Sequence, residues 1–434
     1  MTTAPATGRR LDIPGDIAQN AILPQSYGDE QGRTHPAYRW LRANLPLGRA
    51  SLDGYDPLWL VTKLDDVKAV EKDAVLFNAT ANNPILTTRA GDDFIRSITG
   101  GTIRHLDGPP FMDPPEHTRI RAATGQWFRP RNVARFSEQV RRIARRYVQD
   151  LVDSGGECDV AQDFALRFPL HVIMSLFGVP VQDMPIWMKL TQEFFGVDDP
   201  DEQRTDIEAS PDQAARQFQR TIEEFFDYFR TFTAQRRAEP RDDLMSAIAN
   251  AQVDGEFLDD RYINSMYLSV ATAGHDTTSS TITGAVLAMA GDPEQWTKVR
   301  ARPALIPDLV EESVRWTSPV KHFMRTASAD TTLRGVPISR GDRLMLSYPS
   351  ANRDEEHFTD PDRFDVERSP NHHIGFGHGV HLCIGLHIAK LEMRILWEEL
   401  LPRITGFELA GEPRPVESNF VASYKSLPIR FSTA

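Results

Sequence analysis

Hydrophobic positions recur with helical spacing along most of the chain, and only short stretches run continuously apolar. HPAYRWLRANLP predicts a short helix, and PLWLVTK, apolar and partly β-branched, predicts a strand. LDDVKAVEKDAVLF returns to helical spacing. HTRIRAATGQWF opens another helix behind DPPE, where prolines and acids suit a first turn. From Arg131 to about Ala301 the pattern is mostly helical, with breaks near Gly155, Pro180, Pro200, Pro211 and Pro240. TTLRGVPISRGDRLMLSY predicts a hairpin around its RG turns, and HLCIGLHIAKLEMRILWEELL a strongly amphipathic helix. NFVASYKSLPIRF predicts closing strands. Two stretches follow neither period. Residues 1–30 predict a loose N-terminal arm, and Pro84 to Pro115, rich in Gly, Asp, Pro and Thr, predict a long loop of the kind that covers a site. The sum is one mostly α domain over 1–434 with minor β, its strands drawn from both ends of the chain.

Composition narrows the function classes. The chain is 40% hydrophobic and 25% charged, as soluble globular proteins are. Its net charge of −12 argues against a nucleic-acid binder, which would show a basic footprint. Two cysteines make no disulfide framework. The N-terminal sequence has no apolar core of a signal peptide, and no apolar run reaches the ~18 residues of a membrane span. The expectation is a cytoplasmic protein.

One cysteine stands out. GFGHGVHLCIG places Cys383 among glycines 375, 377, 379 and 385, just ahead of the amphipathic helix. Glycines permit close backbone approach, and a helix N-terminus favours a thiolate. Such a thiolate is a nucleophile or a metal ligand. A buried, inert cysteine is the plainer alternative. Zinc is a third, since His378, His381 and His387 are near in sequence, although the spacing matches no common zinc template. A second segment, LSVATAGHDTTSSTITGAVLAMA, reads as a helix carrying an Asp–Thr pair that could cap it or pass protons. In VEESVRW, Glu312 and Arg315 share one helix face, a spacing that is usually a solvated ion pair. His117 and Arg121 share another at i, i+4.

Together these motifs resemble the cytochrome P-450 family. Phe376, Gly379, His381, Cys383 and Gly385, with Ala389, match its haem-binding signature, and Ala273, Gly274, Asp276, Thr277 and Thr278 match its central-helix pattern. Glu312 and Arg315 match its Glu-x-x-Arg pair. The segments AGHDTTSS, RWTSPVKHFMRTA and LHIAKLEM look closest to the bacterial branch of the α-terpineol hydroxylase.

The resemblance implies a large helical region plus small sheets, with haem b (iron protoporphyrin IX) between the long central helix and the cysteine loop. Cys383 is then the axial ligand, as thiolate ligation in this family requires. Phe376, Gly377, Gly385, Ala273 and Gly274 border the haem, while His117, Arg121, Arg325 and His381 bind its propionates. Thr277 and Asp276 supply protons for oxygen activation. Arg363, in PDRF, joins Glu312 and Arg315 in a structural trio. Ser269, Thr272, Ala273, Val320, Phe323 and Val421 are implied walls of a pocket for a small apolar substrate, a monoterpene or an alkylaromatic. The implied reaction is C–H hydroxylation with dioxygen and two electrons. No flavin or nicotinamide motif appears, so a ferredoxin with its own reductase is the implied donor. Thr118 to Tyr147 holds nine arginines against one acid, Glu138, and offers a docking patch for it. Competing readings are a haem-thiolate peroxygenase or rearrangement enzyme, which usually lacks the acid–alcohol pair, and a non-catalytic haem sensor, which would need an output domain.

Overall fold

The computed structural model describes residues 11–207, 210 and 212–434. Helices dominate: α1 (Gly15–Ile22), α2 (His35–Asn44), α3 (Leu64–Lys72), α4 (Arg89–Ile98), α5 (Glu116–Gly125), α6 (Ser137–Asp153), α7 (Arg167–Phe177), α8 (Met184–Phe195), α9 (Gln213–Ala238), α10 (Asp260–Ala273), α11 (Asp276–Gly291), α12 (Ile306–Thr317) and α13 (Leu386–Leu400). The main sheet has strands β1 (Leu47–Ala50), β2 (Leu58–Val61), β3 (Phe77–Asn78), β4 (His322–Ala327) and β5 (Arg343–Ser347), in the order β1-β2-β5-β4-β3. β2 and β5 run parallel and the other neighbours antiparallel. Chain ends far apart in sequence thus share one sheet. A smaller sheet joins Ile404–Leu409, Pro428–Thr433 and Glu157–Asp159.

The main helical core wraps α10 and α11, and a second apolar cluster lies between the sheet and α3. Several boundaries follow from local chemistry. Asp259 caps α10 by accepting from the Arg261 N–H at 2.8 Å. Gly178 ends α7 in the left-handed region, φ 70°. The breaks expected near Gly155, Pro180, Pro200 and Pro240 fall between helices, and Pro211 lies outside the described residues.

Three expectations change. Residues 11–30 are not loose: Ile13, Ala18, Ala21 and Ile22 bury against Tyr38 and Leu41, and Asn419 donates to the Ile22 carbonyl at 2.8 Å. Residues 1–10 of the expected arm lie outside the described residues. The Pro84–Pro115 stretch is an organised cover that contains α4. The Leu86 N–H donates to His322 Nε2 at 3.0 Å, and the Asp107 N–H to Ser265 Oγ at 3.0 Å. In the expected hairpin only the first RG turn joins paired strands, Thr331–Leu333 and Val336–Ile338. The chain after the second turn leaves as β5, to pair between β2 and β4. The strand pattern was right and the partner was wrong, because pairing is decided by distant strands.

Candidate active site

An apolar cavity of about 240 Å³ lies between α10, α11, β4 and the cysteine loop. A single water needs only about 10–15 Å³, so this space is built for something larger. Cys383, Phe376, Gly377, Gly385 and Ala389 form one part of its wall, and Ala273, Gly274 and Thr277 another.

Local geometry explains the cysteine loop. Gly379 has φ 64°, and a Cβ there would sit 2.3 Å from the Glu71 carbonyl oxygen, so α3 and the loop can meet only at a glycine. The Cys383 N–H donates to the Phe376 carbonyl at 2.8 Å and closes the loop. The backbone N–H groups of Gly385 and Leu386 point at the sulfur. They and Arg121 favour the thiolate, yet burial outweighs them and pushes the thiol up. The helix terminus and Arg121 by themselves do not offset the effect of burial on this cysteine. Zinc finds no support, since among the described residues no cluster of His, Cys, Asp or Glu could hold a metal.

The central helix is interrupted. α10 ends at Ala273, and His275 sits at φ −108°, ψ −66° before α11 begins. Gly274 is required because a Cβ would stand 2.8 Å from the Val270 carbonyl and 3.1 Å from Ile173. Thr277 Oγ1 donates to the Ala273 carbonyl at 2.7 Å, spanning the break. Thr277 lines the main cavity, but Asp276 does not. Its carboxyl faces a second, water-sized cavity shared with Glu202, Tyr424 and Lys425. Burial raises the Asp276 pKa, and Oδ2 has no partner among the described residues. His275 donates from Nε2 to the Leu166 carbonyl at 2.7 Å, with Nδ1 3.6 Å from Asp276.

The propionate candidates converge. The rings of His117 and His381 lie 4.6 Å apart. Both His117 nitrogens and His381 Nε2 are buried without partners among the described residues. Burial and the nearby arginines lower both histidines. Arg121 and buried Arg325 line the same rim. A nearly all-apolar slot with unsatisfied donors and two guanidinium groups at one edge, and a sulfur on its wall, fits a flat macrocycle bearing two carboxylates. The residues present fit haem b.

Glu312 and Arg315 are both fully buried and joined by two hydrogen bonds of 2.7 and 2.8 Å. The third arginine is not Arg363. Its side chain is exposed, and it offers only its carbonyl, to Arg315 at 3.0 Å. Arg368 takes the place, its Nε 3.1 and 3.2 Å from the Glu312 oxygens. The turn after Phe364 folds the chain back beneath α12, which spacing alone does not show.

Of the pocket-wall candidates, Ser269, Ala273, Val320 and Phe323 line the main cavity. Thr272 does not: it is buried on another face of α10 and donates to the Leu268 carbonyl at 2.9 Å. Val421 lines the second cavity instead, bridged to Val320 by backbone pairing. Sequence reading missed Glu71, Tyr348 and Glu392 on the cavity wall. Glu71 shares the apolar face of α3 with Val67 and Val70, a spacing that could have exposed it. Glu392 receives a hydrogen bond from Thr278 at 2.8 Å, and burial raises its pKa well above the usual carboxylate range. Cys158 packs in the strand Glu157–Asp159, its thiol pushed up to about 12 by burial.

The arginine-rich stretch is largely neutralised. Arg119, Arg135, Arg141, Arg145 and Arg146 pair with acids of the chain, and Arg121 faces the cavity. Arg129, Arg131 and Arg142 are exposed and make no ion pair among the described residues.

A mostly helical domain that frames a cysteine loop, an interrupted helix and a rim of arginines and unpartnered histidines around one slot defines the haem-thiolate class. The cytochrome P-450 family profile matches residues 61–302 and 304–425, and the chain belongs to that family. It is a monooxygenase whose cofactor is haem b. It is 52% identical to cytochrome P-450-terp of a Pseudomonas species, over 98% of this chain and 99% of that protein. A steroid C26-monooxygenase of Mycolicibacterium smegmatis is 32% identical, over 92% and 93%. The crystal structure of CYP108D1 from Novosphingobium aromaticivorans superposes with a TM-score of 0.89 at 40% identity, covering 98% of this chain and all of that one. Among the described residues, no helix is long and apolar enough to cross a membrane.

Proposed function

We propose that the protein hydroxylates a C–H bond of a small apolar substrate, a monoterpene or an alkylaromatic, using dioxygen and two electrons from a ferredoxin served by its reductase. The observation that carries this reading is that Cys383 and Thr277 line one apolar cavity while Asp276 borders a separate, water-sized one that it shares with Glu202 and Lys425. The similarity to cytochrome P-450-terp supports a terpene substrate. When bound through Cys383, haem supplies an electron-rich iron that activates dioxygen and favours O–O cleavage.

The chain's own residues do the rest. His117, Arg121, Arg325 and His381 hold the propionates, and Phe376, Gly377, Gly385, Ala273 and Gly274 shape the slot. Asp276 holds a proton on its carboxyl beside the second cavity, and Thr277 Oγ1 passes protons into the first. The acid draws on solvent from the side of Glu202 and Lys425, away from the substrate. Ser269, Ala273, Val320 and Phe323 border the substrate. Ser269 and Thr277 already donate to the backbone at 2.7 Å, so the pocket offers few donors and suits a hydrocarbon.

For the electron partner, the basic surface of this stretch shrinks to Arg129, Arg131 and Arg142, and Lys68 and Lys72 add positive charge near His378 of the cysteine loop. Leu382, 39% exposed and one residue from Cys383, adds an apolar contact point on the cysteine loop. An acidic ferredoxin suits such basic groups.

The test begins with the reduced protein under carbon monoxide, where a thiolate-ligated haem gives a strongly red-shifted Soret band. Reconstitution with an acidic ferredoxin and its reductase should then yield a hydroxylated terpene or alkylbenzene. Thr277→Ala should uncouple electron use from product by at least tenfold, a modest loss for a proton-transfer group. Turnover on hydrogen peroxide alone, undiminished by Thr277→Ala, would favour the peroxygenase reading and overturn this one.

A further inference from the structure

The rim that receives the propionates contains an acid with no place in the scheme above. Glu71, on the last turn of α3, is 1% exposed. Its Oε1 accepts from the Tyr348 hydroxyl at 2.5 Å, and the His378 N–H also bonds the carboxyl. Arg325 Nη2 stands 4.0 Å from Oε1, beyond a hydrogen bond. Oε2 has no partner among the described residues, and the side chain lines the cavity.

The charges facing this rim can be counted. Arg325 from β4 and Arg121 from α5 are permanent cations. His117 from α5 and His381 from the cysteine loop are held neutral by burial and by those arginines. Tyr348, after β5, stays neutral because burial and Glu71 raise it. Two propionates bring two negative charges and balance the arginines. An ionised Glu71 would add a third anion to a site without solvent, an expensive arrangement. A neutral Glu71 keeps the balance and turns its idle Oε2 into a donor.

We propose that Glu71 is a further haem-binding residue, which carries its own proton while haem is bound and offers that hydrogen from Oε2 to the propionates. The inference rests on the propionate reading of the Arg121–Arg325 rim. Burial already lifts Glu71 to about 7, and neighbouring carboxylates push in the same direction. Above neutral pH, haem uptake therefore draws one proton from solvent onto this carboxyl.

The test compares the infrared spectra of the wild-type and Glu71→Gln holoenzymes at pH 8. The bands of Glu392 and Asp276, which are also buried, cancel in the difference. The expected result is the loss of one protonated-carboxyl C=O band, shifted by deuterium in the wild type, with haem content unchanged in the variant. A difference spectrum holding only a carboxylate band overturns the proposal. So does a Glu71→Gln protein that cannot fold or hold haem, since a neutral isostere should serve. Arg325→Ala, with its folding followed by circular dichroism, tests the reading beneath: haem held as tightly as in the wild type means the propionate reading has failed. Haem loss from a folded Arg325→Ala beside a carboxylate-only difference means that reading stands and the Glu71 proposal falls.

Discussion

Glu312 and Glu71 are both buried glutamates beside an arginine, and they differ in how completely they are satisfied. Glu312 accepts two bonds from Arg315, two from Arg368, one from the Asp365 N–H and one from Asn371. Glu71 has one oxygen engaged by Tyr348 and one idle, with its arginine at 4.0 Å. A saturated buried carboxylate has nothing left to offer a ligand, so its work is to hold α12 to the segment Phe364–Asn371. An unsaturated one at a cavity edge awaits a partner from outside the chain. Exposure alone does not separate them, since both are almost fully buried; the hydrogen-bond count does.

Substitution at Glu312 should cost the most. Glu312→Ala should cost about 3–5 kcal/mol and abolish haem retention, because it strands two buried guanidinium groups. Thermal unfolding and the haem-to-protein absorbance ratio measure this, and a loss below ~1 kcal/mol would dissolve the distinction between the two sites. Next is the pH dependence at Glu71. In the haem-free protein its folded pKa is raised to about 7, so its protonated form stabilises the fold fully below about pH 4.5 and that contribution is lost as pH rises through about 7, whereas bound haem carries the loss to higher pH. The stability difference between wild type and Glu71→Gln should shift over that window by up to about 3 kcal/mol, with the wild type losing ground. Denaturant unfolding across pH 4–8 reads it, and parallel curves would refute it.

A smaller effect sharpens the Glu312 side. Arg368→Ala should cost roughly 1.5–3 kcal/mol as a charged hydrogen-bond partner is removed. Arg363→Ala should stay within about 0.5 kcal/mol, because an exposed side chain is lost while the carbonyl remains. Smallest for stability is the surface. Arg129→Ala with Arg131→Ala should leave unfolding unchanged yet raise the ferredoxin KM several-fold at low salt, an effect that fades as salt screens it. Arg135→Ala, already paired with Asp242, should change that KM little.

Much of the site was legible because its chemistry is written at short range. Thr277 and the Cys383 loop needed only neighbours a few residues away, and the glycines that let α3 approach the loop sit inside the motif itself. The helices and most strands followed from periodicity. The expected loose arm did not, although Ile13, Ala18, Ala21 and Ile22 already carried a helical stripe. The Pro84–Pro115 cover hid α4 among turn-forming residues, since its fastenings to His322 and Ser265 lie far along the chain.

Patterns along the chain were enough to assign the haem-thiolate class, the cysteine expected to bind iron, Thr277 on the same cavity and the glutamate–arginine pair of α12. The folded arrangement was needed to show that Arg368 and not Arg363 completes that pair, that Asp276 faces a different cavity from Thr277, that most of the arginine run is already spent on internal partners, and that Glu71 stands at the Arg121–Arg325 rim. The reason is physical. A motif fixes which groups can react, but which charge meets which, and what remains unsatisfied, depends on the path of chain segments hundreds of residues apart and on the water they exclude.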